Sequence, residues 1–455
     1  MKPARALEAL NFFMADVQAG IGPFIGVFLL ARGWGADAIG SVMTLGGLAA
    51  MAATPFAGAL VDAARAKRAL IVAATVVTTL ASLALLPAGS YAAVAAAQAV
   101  AAISGAVLVP AVAGVTLGMV RARGFDRQFG RNQMANHAGN VVGAALAGWL
   151  GWRFGFAAIF ALAALFALLT VVCVLLIPAR AIDYASARGL EHNDVPRQAE
   201  SAHAGSTSSA APSHDASPHP GGLRTLLDNR PLLILGASLA LFHLGNAAML
   251  PLYGMGVVTA HHGNPSAFTA QTIVIAQLVM VGAAWLAPRL IRTHGYWWVL
   301  LASWLALPVR GALAATLMDS AGVWPVQILD GIGAGLQSVA VPALVVRLLQ
   351  GTGRVNVGQG AVATAQGVGA ALSPVLGGVL AQHFGYASAF IVLGAVSIGS
   401  LALWLVHANQ LRGVCAASQP DGGGATSGTQ SASEPTGKTA IPIAQATDAS
   451  KPSSH

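Results

Sequence analysis

Three charged side chains and one histidine stand inside long apolar runs: Asp16, Arg310, Asp330 and His243. A charge at the centre of a bilayer costs at least roughly 2.5–3.5 kcal/mol on insertion scales, so each needs a partner or a task. Asp16 lies about eight residues into its apolar run, about 12 Å deep at 1.5 Å per residue. Gly20 and Pro23 share its helical face by i, i+4, i+7 spacing. A carboxyl group at that depth can take up and release a proton, or pair with a cationic substrate. The alternative is a structural carboxylate hydrogen-bonded to neighbouring helices. His243 sits at a similar depth in a later run, with Asn246 and Leu250 on its face. Histidine is the natural titrating group near neutral pH, although a lone histidine also serves as a packing residue bonded to a carbonyl. Arg310 and Asp330 fall about equally far from the same ends of two consecutive runs, which places both roughly 10 Å below one surface. A structural ion pair is the plainer expectation, and an outer gate or proton relay the sharper one. Gln18, Asn246, Gln277, Gln337 and Gln366 are candidates for hydrogen-bonding a substrate, and equally for joining helices. Phe12, Phe13, Phe24 and Phe28 can line an apolar pocket or face lipid.

The elements that must carry these groups follow from composition. Of 455 residues, 56% are hydrophobic and only 9% charged, where a soluble domain carries about 25% charged residues. Mean hydropathy is +0.68. Too few charges exist to cover a water-facing surface of this size, so the chain is an integral membrane protein. A bilayer core needs about 20 apolar residues per helix, and twelve such segments are legible. Six run near 8–31, 37–61, 67–87, 90–120, 130–151 and 154–178. Six more run near 231–260, 268–288, 296–317, 322–350, 356–381 and 385–408. The fold class expected is all-α, with twelve spans in two pseudo-symmetric six-helix bundles, 1–178 and 230–410.

Between the bundles, 179–229 is rich in Ser, Ala, Pro, His and Gly (SAHAGSTSSAAPSHDASPHPGG), a composition that cannot support a packed core. It reads as a disordered linker, and 411–455 as a disordered tail. His192, His203, His214 and His219 in the linker fit no compact metal site. Cys173 and Cys415 suggest neither a disulfide framework nor a metal centre. No cleavable leader is expected, since the first apolar run continues too far.

With the N-terminus inside, 21 of the 24 Lys and Arg fall on the cytoplasmic side; only Arg32 and Arg153 fall outside, and Arg310 lies within a span. The positive-inside rule then places linker and both termini in the cytoplasm. The net charge of +8 reflects this orientation rather than a nucleic-acid partner. The halves also repeat. GRNQMANHAGNVVGAAL (130–146) answers GRVNVGQGAVATAQGVGAAL (353–372), and FGFAAIF (154–160) answers FGYASAF (384–390). Pro23, Gln98 and Pro110 answer Pro251, Gln327 and Pro342, at offsets near 223 to 232. Parallel-related halves rocking about a midplane site are the architecture of alternating access.

Twelve spans, this repeat and a long central linker resemble the major facilitator superfamily over about residues 8–410. Between spans 2 and 3 the superfamily carries Gly-x-Leu-x-Asp-Arg-x-Gly-Arg-Lys/Arg. Here GALVDAARAKR supplies Gly58, Leu60, Asp62, Lys67 and Arg68, while Ala63 and Arg65 replace the middle Arg and second Gly. The resemblance implies a gating role for Asp62, Lys67 and Arg68, with Arg131 and Arg354, which open spans 5 and 11, as partners; a solvated charged loop is the alternative. Proton-driven exporters of the superfamily carry Arg-x-x-Gln-Gly-x-Gly-Ala on span 4. Gln98 stands in for that Arg, and span 10 echoes the motif in Gln327, Asp330, Gly331, Gly333 and Ala334. The Gly-Pro-x-x-Gly-Gly motif of span 5 is missing there, while span 11 has Ser373-Pro374-Val375-Leu376-Gly377-Gly378. The chain is also similar to uncharacterised proteobacterial transporters whose first span reads like NFFMADVQAGIGPF.

No phosphate loop, zinc helix or nucleophile elbow is present, so an enzyme is not expected, and neither cofactor nor metal. The expected function is a proton-coupled exporter of a small, partly apolar organic compound in the bacterial inner membrane, monomeric, with Asp16 and His243 handling protons. A metabolite importer driven by protons, passive facilitation, and a non-transporting sensor or scaffold are the alternatives.

Overall fold

The structure, a computed structural model, describes residues 3–19, 22–64, 66–183, 228–260, 264–319, 321–349 and 355–416. The side chains of 18, 19, 23, 62, 122–127 and 355–357 fall outside that description. Among the described residues there are twelve α-helices, one short 3-10 turn (Ala179–Ala181) and no strand. The first span is made of α1 (Pro3–Ala19) and α2 (Gly22–Leu30), followed by α3 (Ala36–Ala63) and α4 (Lys67–Leu83). Then come α5 (Tyr91–Phe154) and α6 (Phe156–Leu176). The second half opens with α7 (Arg230–Asn246) and α8 (Met249–Thr259), which share one span, and continues with α9 (Pro265–Thr316), α10 (Val323–Leu349) and α11 (Val355–Val406). A short α12 (Ala408–Val414) follows, so the start of the tail expected to be disordered from 411 is structured instead, with Leu411 and Cys415 buried.

Six of these helices individually, and α7 with α8 taken together, are long and apolar enough to cross a membrane. The rest of the twelve spans follows from length and from backbone breaks. A straight 52-residue helix would reach about 78 Å, more than twice the hydrocarbon core, so α9 and α11 each hold two spans. The breaks fall at Gly295 (φ 82°) and Gly385 (φ 83°). α5, of 64 residues, divides at Arg121 (φ 54°). The repeat motifs FGFAAIF and FGYASAF thus share a physical feature: Gly155 (φ 81°) and Gly385 both take a conformation in which a Cβ is strained. The loop expected between 120 and 130 is helical instead. That stretch contains no proline, so past the break at Arg121 the backbone ladder continues. The start of the expected linker is also structured: Asp183 N donates to Gly118 O at 2.9 Å and its carboxylate faces Arg121 at 3.6 Å. Residues 184–227 and 417–455 lie outside the described residues.

Within the first half, α1 packs on α5 and α6, and α3 and α4 pack on α5; within the second, α7 packs on α11 and α9 on α10 and α11. Between the halves the main contacts are α3 with α11, α5 with α9, and α2 with α8. The repeat relates the first two of these to each other and the third to itself, so the halves meet about a pseudo-twofold. Large apolar side chains remain on the outside, among them Phe56, Leu80, Leu168, Val406 and the aromatic residues Trp149, Trp152, Trp285, Trp298 and Trp324. That girdle suits lipid and its interfaces. Phe24 and Phe28 are buried, and Phe28 meets Phe156 and Phe160 edge-on; Phe12 and Phe13 gather against Phe166. Phe12, Phe13 and Phe28 thus pack against rings of α6, with Phe12 and Phe13 still partly exposed.

Candidate functional site

Among the described residues, the closest crossings between the two halves lie at one end. Gly40 and Gly378 let α3 and α11 cross so closely that a Cβ on Gly40 would lie 2.1 Å from Pro374 O, and one on Gly378 would lie 2.3 Å from Ala36 O. Ala36 N donates to Gln382 Oε1 (2.9 Å) and Val375 N to Thr44 Oγ1 (3.0 Å), stitching the same pair. On α5, a Cβ on Gly148 would strike Ala270 of α9 at 2.2 Å, and Gly26 of α2 meets Met255 of α8. At the opposite end, which carries Lys67, Arg68, Arg131 and Arg347, the glycines of the same four helices make no such crossing among the described residues. Gly58 on α3, Gly130 on α5, Gly282 on α9 and Gly360 on α11 face open space. One apolar cluster joins both halves and continues to the basic end of the second, whereas residues 6–17, 57–74, 107–115 and 167–182 contribute to a separate core at the basic end of the first half.

In the second half the polar residues converge. Arg310, 1% exposed, lies on α9 and donates from Nη1 to Asp330 Oδ1 of α10 at 2.7 Å and to Asn246 Oδ1 of α7 at 2.6 Å. Its Nη2 reaches Gln327 Oε1 at 3.5 Å. Consecutive antiparallel helices place the two charges at one height. Arg310 Nε and Gln327 Nε2 are buried without a partner. His243, half-buried on α7, meets Gln366 of α11 with 3.1 Å between Nε2 atoms and lies within electrostatic reach of Asp330. Gln337 Nε2 donates to Ser303 Oγ at 2.8 Å, so that amide joins α10 to α9. Gln277 Oε1 is buried and unpartnered. The arrangement holds one guanidinium, one carboxylate, one imidazole and several amides where α7, α9, α10 and α11 meet.

Asp16 is placed differently. It faces away from that cluster into a small cavity inside the first half, lined by Thr78, Thr79 and Ser82 of α4 and Phe160 and Ala163 of α6. Its Oδ1 lies 3.1 Å from where a Cβ on Gly143 of α5 would sit. Its side chain has no hydrogen-bond or ion-pair partner among the described residues. The side chains of Gln18 and Asp62, and the whole of Arg354, lie outside the described residues. Of the other gating candidates, Lys67 is fully buried and its Nζ donates to Val61 O at 2.6 Å. Arg68 donates to Val174 O (3.2 Å) and Leu175 O (3.0 Å) at the end of α6. Arg131 meets Glu8 Oε1 of α1 at 3.0 Å. Glu8 escaped the sequence reading because it stands where the first apolar run begins; its signal was an acid at the mouth of a span. Among the described residues no group of three His, Cys, Asp or Glu side chains is placed to hold a metal.

The chain's relationships agree with this geometry. A family model described as Major Facilitator Superfamily matches residues 7–357. The chain belongs to the major facilitator superfamily. It is 40% identical over 405 residues to a protein named an uncharacterized MFS-type transporter in Mycobacterium tuberculosis, found in strains CDC 1551 / Oshkosh and H37Rv, covering 89% of this chain and 92% of the relative. Among solved structures it resembles the nucleoside transporter NupG (TM-score 0.72, 13% identity, 89% of this chain and 99% of that one). It also resembles a bacterial homologue of the human lysosomal transporter Spinster, captured inward-facing and unoccupied (TM-score 0.70, 12% identity, 91% and 98%). The superfamily chain is thus a multi-pass transporter that acts on small molecules by secondary transport, not an enzyme.

Proposed function

We propose that this transporter is a proton-coupled exporter of a small, partly apolar organic compound, working by alternating access as a monomer in the bacterial inner membrane. The single observation that supports alternating access is the one-ended closure: glycine crossings bring α3 against α11 and α5 against α9 at one end, while Gly58, Gly130, Gly282 and Gly360 of the same helices face open space at the other. The open end is the basic one, so the positive-inside rule makes it cytoplasmic, with both termini on that side. Asp16 is the coupling acid: its carboxyl has no partner among the described residues, and an unpaired carboxylate inside a bundle is expensive, which favours a group that gains and loses a proton during the cycle. His243, held by Gln366, is the second proton-handling group. Gln277 and Gln366, with Gln18, are the substrate-facing amides; Asn246 and Gln337 are engaged by Arg310 and Ser303. Asp62, Lys67, Arg68, Arg131 and Arg354 form the cytoplasmic gate.

The test is flux in proteoliposomes under an imposed pH gradient, with a compound first identified by thermal shift on the purified protein. Asp16→Asn should abolish pH-driven accumulation while leaving downhill exchange. Unchanged pH-driven flux in that variant would overturn the assignment. A proton-driven importer of a polar metabolite is the second reading, favoured by the concentration of charge and amides around Arg310; uptake rather than efflux in right-side-out vesicles would select it.

A further inference from the structure

On α5 four amide side chains recur at every fourth residue: Gln128, Asn132, Asn136 and Asn140. That spacing keeps them in one stripe along the helix. The stripe turns towards α1: Gln128 Nε2 donates to Glu8 Oε1 at 3.4 Å, and Asn136 Nδ2 to Asn11 O at 3.4 Å. Its members are also joined to each other and to the adjoining span. Gln128 Nε2 donates to Asn132 Oδ1 (3.0 Å), Asn132 Nδ2 to Thr116 Oγ1 (3.0 Å), and Asn140 Nδ2 to Asn136 Oδ1 (3.3 Å). At the basic end the stripe begins beside the Glu8–Arg131 pair. At its other end, one turn past Asn140, stands Gly143, whose missing side chain opens directly onto Asp16 Oδ1. From Gln128 to Gly143 the stripe spans about 22 Å at 1.5 Å per residue.

We propose that this amide stripe is a hydrated proton path inside the first half, joining Asp16 to the Glu8–Arg131 end and separate from the cleft between the halves. It rests on the reading of Asp16 as the proton-exchanging acid. Amides do not carry a proton themselves; they offer donors and acceptors in both senses and so order the water that does. Such amides also join helices, but this file of four ends on a glycine and a carboxyl with no partner among the described residues. The groups facing Asp16 are the hydroxyls of Thr78, Thr79 and Ser82 on α4, apolar Phe160 and Ala163 on α6, and Gly143 on α5, with no charge among them. Glu8 and Arg131 are the charged groups at the far end. The whole path lies within one half, so its lining does not depend on contacts between the halves.

The experiment follows deuterium exchange at the Asp16 carboxyl by infrared spectroscopy of the full protein in lipid bilayers, with the band assigned by its loss in Asp16→Asn. Asn136→Leu and Asn140→Leu should slow the exchange at least ten-fold, while Asn136→Ser, which still admits water, should stay within three-fold of wild type. Thr54→Val, on the exposed face of α3, should exchange like wild type. Wild-type exchange in both leucine variants, or equal slowing by serine and leucine, overturns the path. A path that fails in this way leaves the Asp16 dependence of pH-driven flux standing. Flux indifferent to Asp16→Asn removes the coupling role instead, whatever the exchange rates.

Discussion

Asp330→Ala removes the carboxylate that Arg310 meets at 2.7 Å. The guanidinium, 1% exposed, keeps Asn246 at 2.6 Å and Gln327 at 3.5 Å, and neither carries charge. Deleting one member of a buried pair costs about 3–5 kcal/mol, because the other charge is left without compensation. At about 1.4 kcal/mol per factor of ten, that lowers the ratio of folded to unfolded protein by roughly 10²–10⁴. Arg310→Met should cost less, since Asp330 keeps 11% of its side chain exposed and retains some solvation. Arg310→Met combined with Asp330→Leu should recover to near wild type, as apolar replacement of a buried pair is often neutral or stabilising. The pair then shows a coupling energy of about 2 kcal/mol or more. The assay is denaturant unfolding in mild detergent, read by tryptophan fluorescence; Trp304, stacked edge-on against Phe242 at 5.4 Å, reports from the same region. Three variants all within about 1 kcal/mol of wild type would refute the reasoning, for the guanidinium would then be hydrated rather than paired.

Gly40→Ala should disfavour the closed end by about 1–3 kcal/mol through overpacking against Pro374 O. It should be read as faster labelling, by a membrane-impermeant reagent, of a cysteine placed at Met43, which lines the small apolar cavity between the halves. Both native cysteines are buried, which keeps the background low. Beyond the last span, burial pushes the Cys415 thiol up to about 12, so it should resist maleimide at pH 7.5 in the folded protein and react once unfolded. The sign of the linkage follows: its contribution to stability is full below the unfolded thiol value near 8.5 and is lost as pH rises from there towards 12, visible as a falling melting temperature in alkaline buffer that Cys415→Ala lessens. Gly385→Ala should cost about 1–3 kcal/mol, because the turn between spans 11 and 12 holds a backbone conformation nearly confined to glycine, and thermal melting measures it.

Hydropathy and the internal repeat were enough to read twelve spans in two related bundles, because span length is fixed by the bilayer and the motifs around Gly155 and Gly385 mark equivalent turns. The common height of Arg310 and Asp330 was legible from counting along two consecutive antiparallel spans. Their further partners, Asn246 and Gln327, were not, since rotation of one helix against another leaves no trace in spacing alone. The same holds for the meeting of His243 with Gln366, which are 123 residues apart. Asp16 was legible as an acid inside a span, but its direction, towards α4 and α6, depends on how α1 is rolled in its bundle. The amide stripe on α5 did carry a signal, a polar residue at every fourth position from 128 to 140. It was hidden by the stronger reading of that segment as a glycine-rich repeat.

The central claim is that proton occupancy of Asp16 decides which end of the transporter is open. Pulsed dipolar spectroscopy between spin labels at positions 58 and 360, on α3 and α11 at the basic end, tests it directly in lipid bilayers. Two distance populations whose ratio shifts with pH in the wild type, and a fixed ratio in Asp16→Asn, are the expected result. A single distance indifferent to pH, or a wild-type pH response surviving in Asp16→Asn, would contradict it.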